Sequence, residues 1–132
     1  MSHYLFVYGT LRRAYNNEMA AFLRQNAEYL HDGVMDGELY DVGTYPAALY
    51  KEGSETMIKG NVFKLTGSRE EVFRVLDLYE GVEEDLYIRA LRPVRFGEGQ
   101  TEILCWVYLF NSSIYHLRLI EHGDYPLYLS EN

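Results

Sequence analysis

The sequence predicts an α+β fold with a mixed β-sheet that is strongly curved or closed. Predicted strands outnumber predicted helices, and their order does not follow a regular βαβ alternation. The 132 residues include 13 tyrosines and 11 glycines, a composition typical of strand-rich folds with tight turns. Because no repeat, linker or low-complexity tract interrupts the chain, we expect one domain over residues 1–132.

The first half of the chain is predicted to be mainly β-structure with one helix. Asn17 precedes an apolar stripe of helical period and is a suitable N-cap. Gly33 and Gly37 are expected to interrupt the strand that contains them. In order, the predicted elements are a buried strand over 4–8, a helix over 17–26, a bent strand or strand pair over 29–40, a loop over 42–48 and a brief strand over 49–50.

The second half contains the clearest helix signal. Ser68 and Glu71 form a capping box, in which the serine accepts a hydrogen bond from the amide three residues later. One buried face is predicted after it, made of Val72, Val75, Leu76 and Tyr79. The remaining predicted elements are a strand over 57–65, a hairpin of two strands over 87–96 and 101–110, and a short helix near 115–121.

Composition excludes several classes of function. Twelve basic and 20 acidic residues give a net charge of −8, which disfavours binding to nucleic acid or to an anionic membrane. The single cysteine, Cys105, forms no internal disulfide and lies in an apolar strand, where cysteines are usually inert. The apolar run over 4–8 is too short for a leader or a membrane span, so we expect a cytoplasmic protein. The histidines show no metal-ligand spacing, and no oligomeric state is indicated.

The first candidate site is the turn after the first predicted strand. Gly9 allows the backbone to approach a ligand closely, and successive amides in such a turn form a concavity that binds anions. The hydroxyl of Thr10 adds a donor, and no P-loop lysine follows, so a carboxylate fits better than a polyphosphate. The alternative is an ordinary tight turn.

The second candidate site is Glu80, at the C-terminal end of the capped helix. The helix dipole and the neighbouring acidic residues would raise the pKa of a partly buried carboxyl there. A carboxyl of this kind suits general acid/base catalysis. The alternative is a solvated acidic helix end, and Asp77, three residues earlier, is the other carboxyl in the segment.

Six segments, in order along the chain, resemble the γ-glutamylcyclotransferase-like family. The match at residues 4–12 covers its Tyr-Gly-Ser/Thr-Leu loop, and the match at residues 76–81 covers its Leu-Asp-x-x-Glu-Gly segment. Each segment alone is a weak signal, whereas their common order is a strong one. The other segments are Gly43-Thr44-Tyr45-Pro46-Ala47, Gly60-Asn61-Val62-Phe63, Tyr87-Ile88-Arg89 and Gly123-Asp124-Tyr125.

The resemblance implies a mixed six-stranded barrel and an enzyme that releases 5-oxoproline from a small-molecule γ-glutamyl compound. It implies that Glu80 is the general acid/base and that no cofactor is required. It also implies a substrate-binding site that contains Tyr8, Gly9, Thr10, Leu11, Tyr87 and Tyr125. The alternative from another class is a protein of the same fold that binds a small carboxylate without turnover. The acidic run over 83–85 has no counterpart in the family motifs, so the identity of the leaving group stays undetermined. An acidic rim would suit a cationic leaving amine.

Overall fold

The fold is described from a computed structural model that covers residues 2–9, 11–12, 17–97 and 100–131. Ten elements follow one another along these residues. They are β1 (Tyr4–Val7), α1 (Glu18–Asn26), β2 (Ala27–Asp41), β3 (Pro46–Tyr50), β4 (Met57–Leu65), α2 (Arg69–Tyr79), β5 (Tyr87–Phe96), β6 (Thr101–Phe110), β7 (Arg118–Ile120) and α3 (Tyr125–Ser130).

Five of the strands close into a barrel. Their order is β2-β4-β1-β6-β5, and β5 returns to β2 where Val34 pairs with Arg95. The β1–β6 pairing is parallel, and the other pairings are antiparallel. The remaining strands, β3 and β7, both pair with β2 outside the ring. The predicted fold class, a mixed and closed sheet with short helices, is therefore confirmed, with five strands in the ring and two added to it.

Strand β2 differs from its prediction because it runs without interruption through Gly33 and Gly37. A side chain at Gly37 would overlap the carbonyl oxygen of Leu49 on the neighbouring β3. This glycine therefore allows two strands to approach closely instead of ending one of them. Strand β3 begins at Pro46, earlier than predicted, and as an edge strand it tolerates a proline at its first position.

The C-terminal segment also corrects the prediction. The helix expected near 115–121 is wrong, since residues Arg118–Ile120 form β7 beside β2. A strand of three residues is too short to show a periodicity in the sequence. The helix lies later, at Tyr125–Ser130, where Asp124 accepts a hydrogen bond from the amide of Leu127 as its N-cap.

Both predicted N-caps are confirmed. The side chain of Asn17 accepts a hydrogen bond from the amide of Ala20, and that of Ser68 accepts one from the amide of Glu71. The buried face of α2 is only partly as predicted. Val72 and Leu76 are fully buried, but Phe73 is buried in place of Tyr79, whose side chain is 49% exposed at the end of the helix.

The apolar residues form two clusters on either side of the barrel wall. Strand β1 contributes to both, with Phe6 in the inner cluster and Leu5 and Val7 in the outer one. The outer cluster also includes side chains of α1 and α2, such as Leu23 and Leu76. Because β1 is buried on both faces, it carries a continuous apolar run instead of an alternating one.

Candidate active site

A cleft of about 260 Å³ opens where β1 passes into the following turn. Its walls come from the end of β1 and the turn, from the start of β3, from the end of α2 and from the adjacent ends of β5 and β6. The lining residues are Phe6, Val7, Tyr8, Gly9, Leu11, Tyr45, Pro46, Tyr79, Glu80, Leu86, Tyr87 and Tyr108. The cleft therefore brings the two candidate segments of the sequence, the turn and the helix end, into one site.

The turn at the first candidate site is closed by a hydrogen bond from the amide of Arg12 to the carbonyl oxygen of Gly9, at 3.1 Å. A Cβ atom at Gly9 would lie 2.9 Å from Cγ of Pro46, closer than such contacts normally come. Glycine is required here by the approach of β3. Leu11 is buried and lines the same cleft, whereas Thr10 lies outside the described residues.

Glu80 is placed in the cleft by the end of α2. Its amide donates to the carbonyl oxygen of Leu76 as the helix C-cap, and its side chain lines the cleft half-buried. Burial raises the pKa of Glu80 to about 7. The direction agrees with the sequence prediction, and the cause is the loss of water around the buried carboxyl. None of the described lining residues is a lysine, arginine or histidine that would oppose this shift.

Three buried tyrosines surround this carboxyl, and each hydroxyl donates its proton to a protein acceptor. Tyr8 donates to the carbonyl oxygen of Tyr108 at 2.5 Å, Tyr87 to that of Pro46 at 2.6 Å, and Tyr108 to the carboxylate of Asp77 at 2.6 Å. Burial raises the pKa of all three phenols, and the charge of Glu80 adds to the effect. All three therefore remain neutral at physiological pH.

Asp77, the other carboxyl of the segment, faces a different environment. It accepts two hydrogen bonds from Arg89, at 2.9 and 3.2 Å, and the proton of Tyr108. The guanidinium of Arg89 in turn lies 4.0 Å from the ring centre of Phe73. Asp77 is thus paired with a cation, whereas Glu80, one helical turn later, lines the cleft and has no cationic partner among the described residues.

Sequence reasoning missed Tyr108 and placed Tyr125 differently. Tyr108 lies inside a strand, and only the excess of tyrosines in the composition pointed toward such residues. Tyr125 is 2% exposed and packs in the inner cluster with Phe6 and Tyr8, which line the cleft, but it does not itself line the cleft. It is nevertheless close enough to raise the pKa of Tyr87. A substrate-binding role for Tyr125 stays a prediction, and such a role would act through Tyr87.

The described residues also bear on whether the chain has a metal site, a reactive cysteine or a membrane-spanning helix. They contain no group of three or more His, Cys, Asp or Glu side chains placed to hold a metal ion. Cys105 is buried, and burial raises its pKa to about 12, which agrees with the prediction of an inert core residue. None of the described helices combines the length and the apolar character needed to cross a bilayer.

By architecture, the protein is a small closed mixed β-barrel with a carboxyl-bearing cleft at the end of its first strand. Residues 5–127 match the family model described as "Gamma-glutamyl cyclotransferase, AIG2-like". The chain therefore belongs to this family, and the resemblance seen in its sequence is confirmed.

Individual relatives agree with this assignment. The chain is 29% identical over 122 residues to the "Gamma-glutamylcyclotransferase family protein YtfP" of Escherichia coli K12, covering 92% of this chain and 94% of that protein. The crystal structure of an AIG2-like protein from Mus musculus has a TM-score of 0.75 at 25% identity, over 93% of this chain and 87% of that one. YkqA from Bacillus subtilis shares the fold, with a TM-score of 0.74 at 23% identity, over 99% of this chain and 43% of that one.

Proposed function

We propose that the protein is a γ-glutamyl cyclotransferase that converts a γ-glutamyl compound into 5-oxoproline and a free amine. The observation that carries the proposal is Glu80, a carboxyl with a pKa of about 7 in a cleft beside the turn at Gly9. A group with this pKa accepts and returns protons efficiently near neutral pH. Membership of the family supports the same activity.

The turn after β1 would bind the γ-glutamyl half of the substrate. We assign its backbone amides, at Gly9, Thr10 and Leu11, to the α-carboxylate, since no cationic side chain lines the described part of the cleft. The reaction closes a five-membered ring within one molecule. Holding the α-carboxylate therefore supplies much of the catalysis, because it orients the α-amine toward the side-chain carbonyl.

Glu80 would carry the proton transfers. Its carboxylate accepts a proton from the α-ammonium group, and the freed amine attacks the δ-carbon to form the C–N bond of the ring. As the bond to the leaving nitrogen breaks, Glu80 returns a proton to that nitrogen. In total, two protons leave the α-nitrogen and two reach the leaving amine, which departs as an ammonium ion. This proton balance requires no redox partner or cofactor.

Specificity should differ between the two ends of the substrate. The turn and Glu80 both contact the γ-glutamyl half, so a free α-carboxylate and a free α-amine should be essential. Tyr79 and Leu86 line the cleft while remaining exposed, and they present apolar surface to solvent. Leaving amines of varied size should be accepted there, and acidic residues 83–85 nearby favour a cationic one.

The test is a screen of γ-glutamyl compounds with detection of 5-oxoproline, using wild type, Glu80→Gln and Glu83→Gln. Glutamine keeps the shape of residue 80 but accepts no proton, so we expect the rate to fall by about 10²–10⁴-fold. Glu83 is an exposed acidic neighbour outside the lining of the cleft and serves as the matched control. Wild-type rates in Glu80→Gln would rule out this residue as the base. Binding without turnover would instead identify a protein that binds a small carboxylate.

A further inference from the structure

The three buried tyrosine hydroxyls of the cleft have the same hydrogen-bonding role. Tyr8, Tyr87 and Tyr108 each donate their only hydroxyl proton to an acceptor in the protein. A phenol whose O–H already donates a hydrogen bond can only accept a hydrogen bond from a further partner. Tyr8 already uses one lone pair to accept a backbone hydrogen bond from Ala48. The hydroxyls of Tyr87 and Tyr108 are therefore the acceptors left for a ligand.

Glu80 adds another hydrogen-bond acceptor. Its carboxylate accepts hydrogen bonds and donates none when ionised. Glu80, Tyr87 and Tyr108 all line the same cleft, and the charge of Glu80 raises the pKa of both phenols. No cationic side chain lines the described cleft to satisfy these acceptors from the protein. A group with several N–H donors and a positive charge is the complement to such a surface.

We propose that Tyr87 and Tyr108, together with Glu80, bind the α-ammonium group of the substrate, and that Asp77 is a positioning residue that fixes the hydroxyl of Tyr108 as an acceptor. This inference rests on the proposed function, since it assigns residues to one end of the γ-glutamyl substrate. The cleft would then accept hydrogen bonds from the α-ammonium group through these side chains and donate hydrogen bonds to the α-carboxylate through the turn.

The role of Asp77 follows from its contacts. Arg89 donates two hydrogen bonds to the carboxylate of Asp77, which also accepts a hydrogen bond from the hydroxyl of Tyr108. Without that acceptor, the hydroxyl of Tyr108 would be free to rotate and point its proton at the ammonium group. Asp77 would therefore act on the substrate through Tyr108, without touching it.

The experiment compares two ligands that differ only at the α-amine, namely γ-glutamyl-propylamide and N-propylglutaramic acid, in which hydrogen replaces the amino group. The first gives KM and kcat, and the second gives an inhibition constant. Tyr108→Phe should raise KM by about 10–100-fold, the effect of one hydrogen bond to a charged group, and change the inhibition constant less than about 2-fold. Tyr87→Phe should behave in the same way. Tyr40→Phe, which removes a hydroxyl bonded to Glu38 away from the cleft, is the control.

A double-mutant cycle tests the positioning role. Asp77→Asn alone should raise KM by about 3–10-fold with kcat nearly unchanged, because the amide no longer fixes the proton of Tyr108. In the Tyr108→Phe background the same change should have no further effect on KM. Equal effects of Asp77→Asn in both backgrounds would overturn its action through Tyr108.

The outcomes separate this inference from the proposed function. Parallel losses for both ligands in Tyr108→Phe and Tyr87→Phe would show a general structural role and overturn ammonium recognition, while turnover by wild type would stand. If wild type turns over no γ-glutamyl compound, the proposed function fails. The two affinities are then measured by calorimetry, and selective loss of the amine-bearing ligand still supports the inference.

Discussion

Burial of Glu80 both raises the pKa of its carboxyl and lowers the stability of the folded state. Burial in the cleft raises its pKa to about 7, so that both protonation states are populated at neutral pH. The same burial removes a charged group from water, which disfavours folding whenever the carboxyl is ionised. A carboxyl that titrates near neutral pH is therefore obtained at this residue at the expense of stability.

The pH dependence of stability should reveal this cost. Below pH 4.5 the carboxyl is protonated in both states, and its contribution to stability is fully present. As the pH rises from 4.5 to about 7, only the unfolded chain loses the proton, so stability falls and then levels off. Glu80→Gln should therefore match wild type near pH 4.5 and exceed it by about 3 kcal/mol above pH 7, as measured by urea unfolding. A variant less stable than wild type at pH 8 would contradict this.

Sequence reasoning reached Glu80 and not Tyr108, for a physical reason. The capping box at Ser68 and the helical period locate the end of α2, and hence Glu80, from neighbouring residues alone. Tyr108 enters the cleft because β6 pairs with β1 in parallel, across about 100 residues of chain. No local pattern encodes such a pairing. The cause of the raised pKa, burial, was inaccessible for the same reason.

At the scale of elements, local signals were sufficient where an element carries its own period or turn. The strands β4, β5 and β6 and both N-caps of the first two helices lie where the sequence predicts them. The hairpin turn itself includes Glu98 and Gly99, outside the described residues. Elements fixed by their neighbours were not predicted, namely the uninterrupted β2 and the short β7. A glycine in the sequence does not show whether a strand ends there or packs closely against a neighbour, because both situations favour glycine.

Substitutions at two glycines should distinguish the effect of backbone strain on stability from the effect of packing. Gly53 and Gly123 have nearly equal positive φ values, 72° and 67°. A side chain at Gly53 would meet open space, whereas one at Gly123 would overlap the carbonyl oxygen of Met57 at the start of β4. Gly53→Ala should cost about 1 kcal/mol of unfolding free energy, the price of the left-handed conformation. Gly123→Ala should cost about 3 kcal/mol or more, because β4 and the start of α3 must separate. Equal losses by urea unfolding would refute the packing argument.

At the scale of the molecule, β2 holds the fold together. It pairs with β3, β4, β5 and β7, and its contact with β5 closes the ring. An ion pair spans this closure, with a guanidinium nitrogen of Arg95 2.7 Å from the carboxylate of Asp36. The two side chains are only 20% and 16% exposed, so the pair is shielded from most of the solvent. The sequence predicts a closed or strongly curved sheet, but no local pattern identifies β2 and β5 as the strands that close it.

Asp36→Asn should loosen the closure in a pH-dependent way. The hydrogen bond from Arg95 lowers the pKa of Asp36 below its ordinary 3.8, so its stabilisation is present above that pH and is lost as the pH falls further. We expect a loss of about 1–3 kcal/mol at pH 7 and a smaller loss at pH 3, measured by urea unfolding. Glu71→Gln, which breaks the exposed pair with Arg74, should leave the Tm unchanged. An equal effect of Asp36→Asn at both pH values would exclude the charge as its cause.

The parallel pairing of β1 with β6 also affects how the protein folds during its synthesis on the ribosome. Tyr8 and its acceptor at Tyr108 are separated by 100 residues. At about 5–20 residues per second, synthesis of that interval takes about 5–20 s. Throughout this time the apolar segment over 4–8 emerges without its final neighbour and is a target for chaperones or for premature association. The cleft is therefore among the last parts of the barrel to be completed, and in a nascent chain it forms only after β6 has left the exit tunnel.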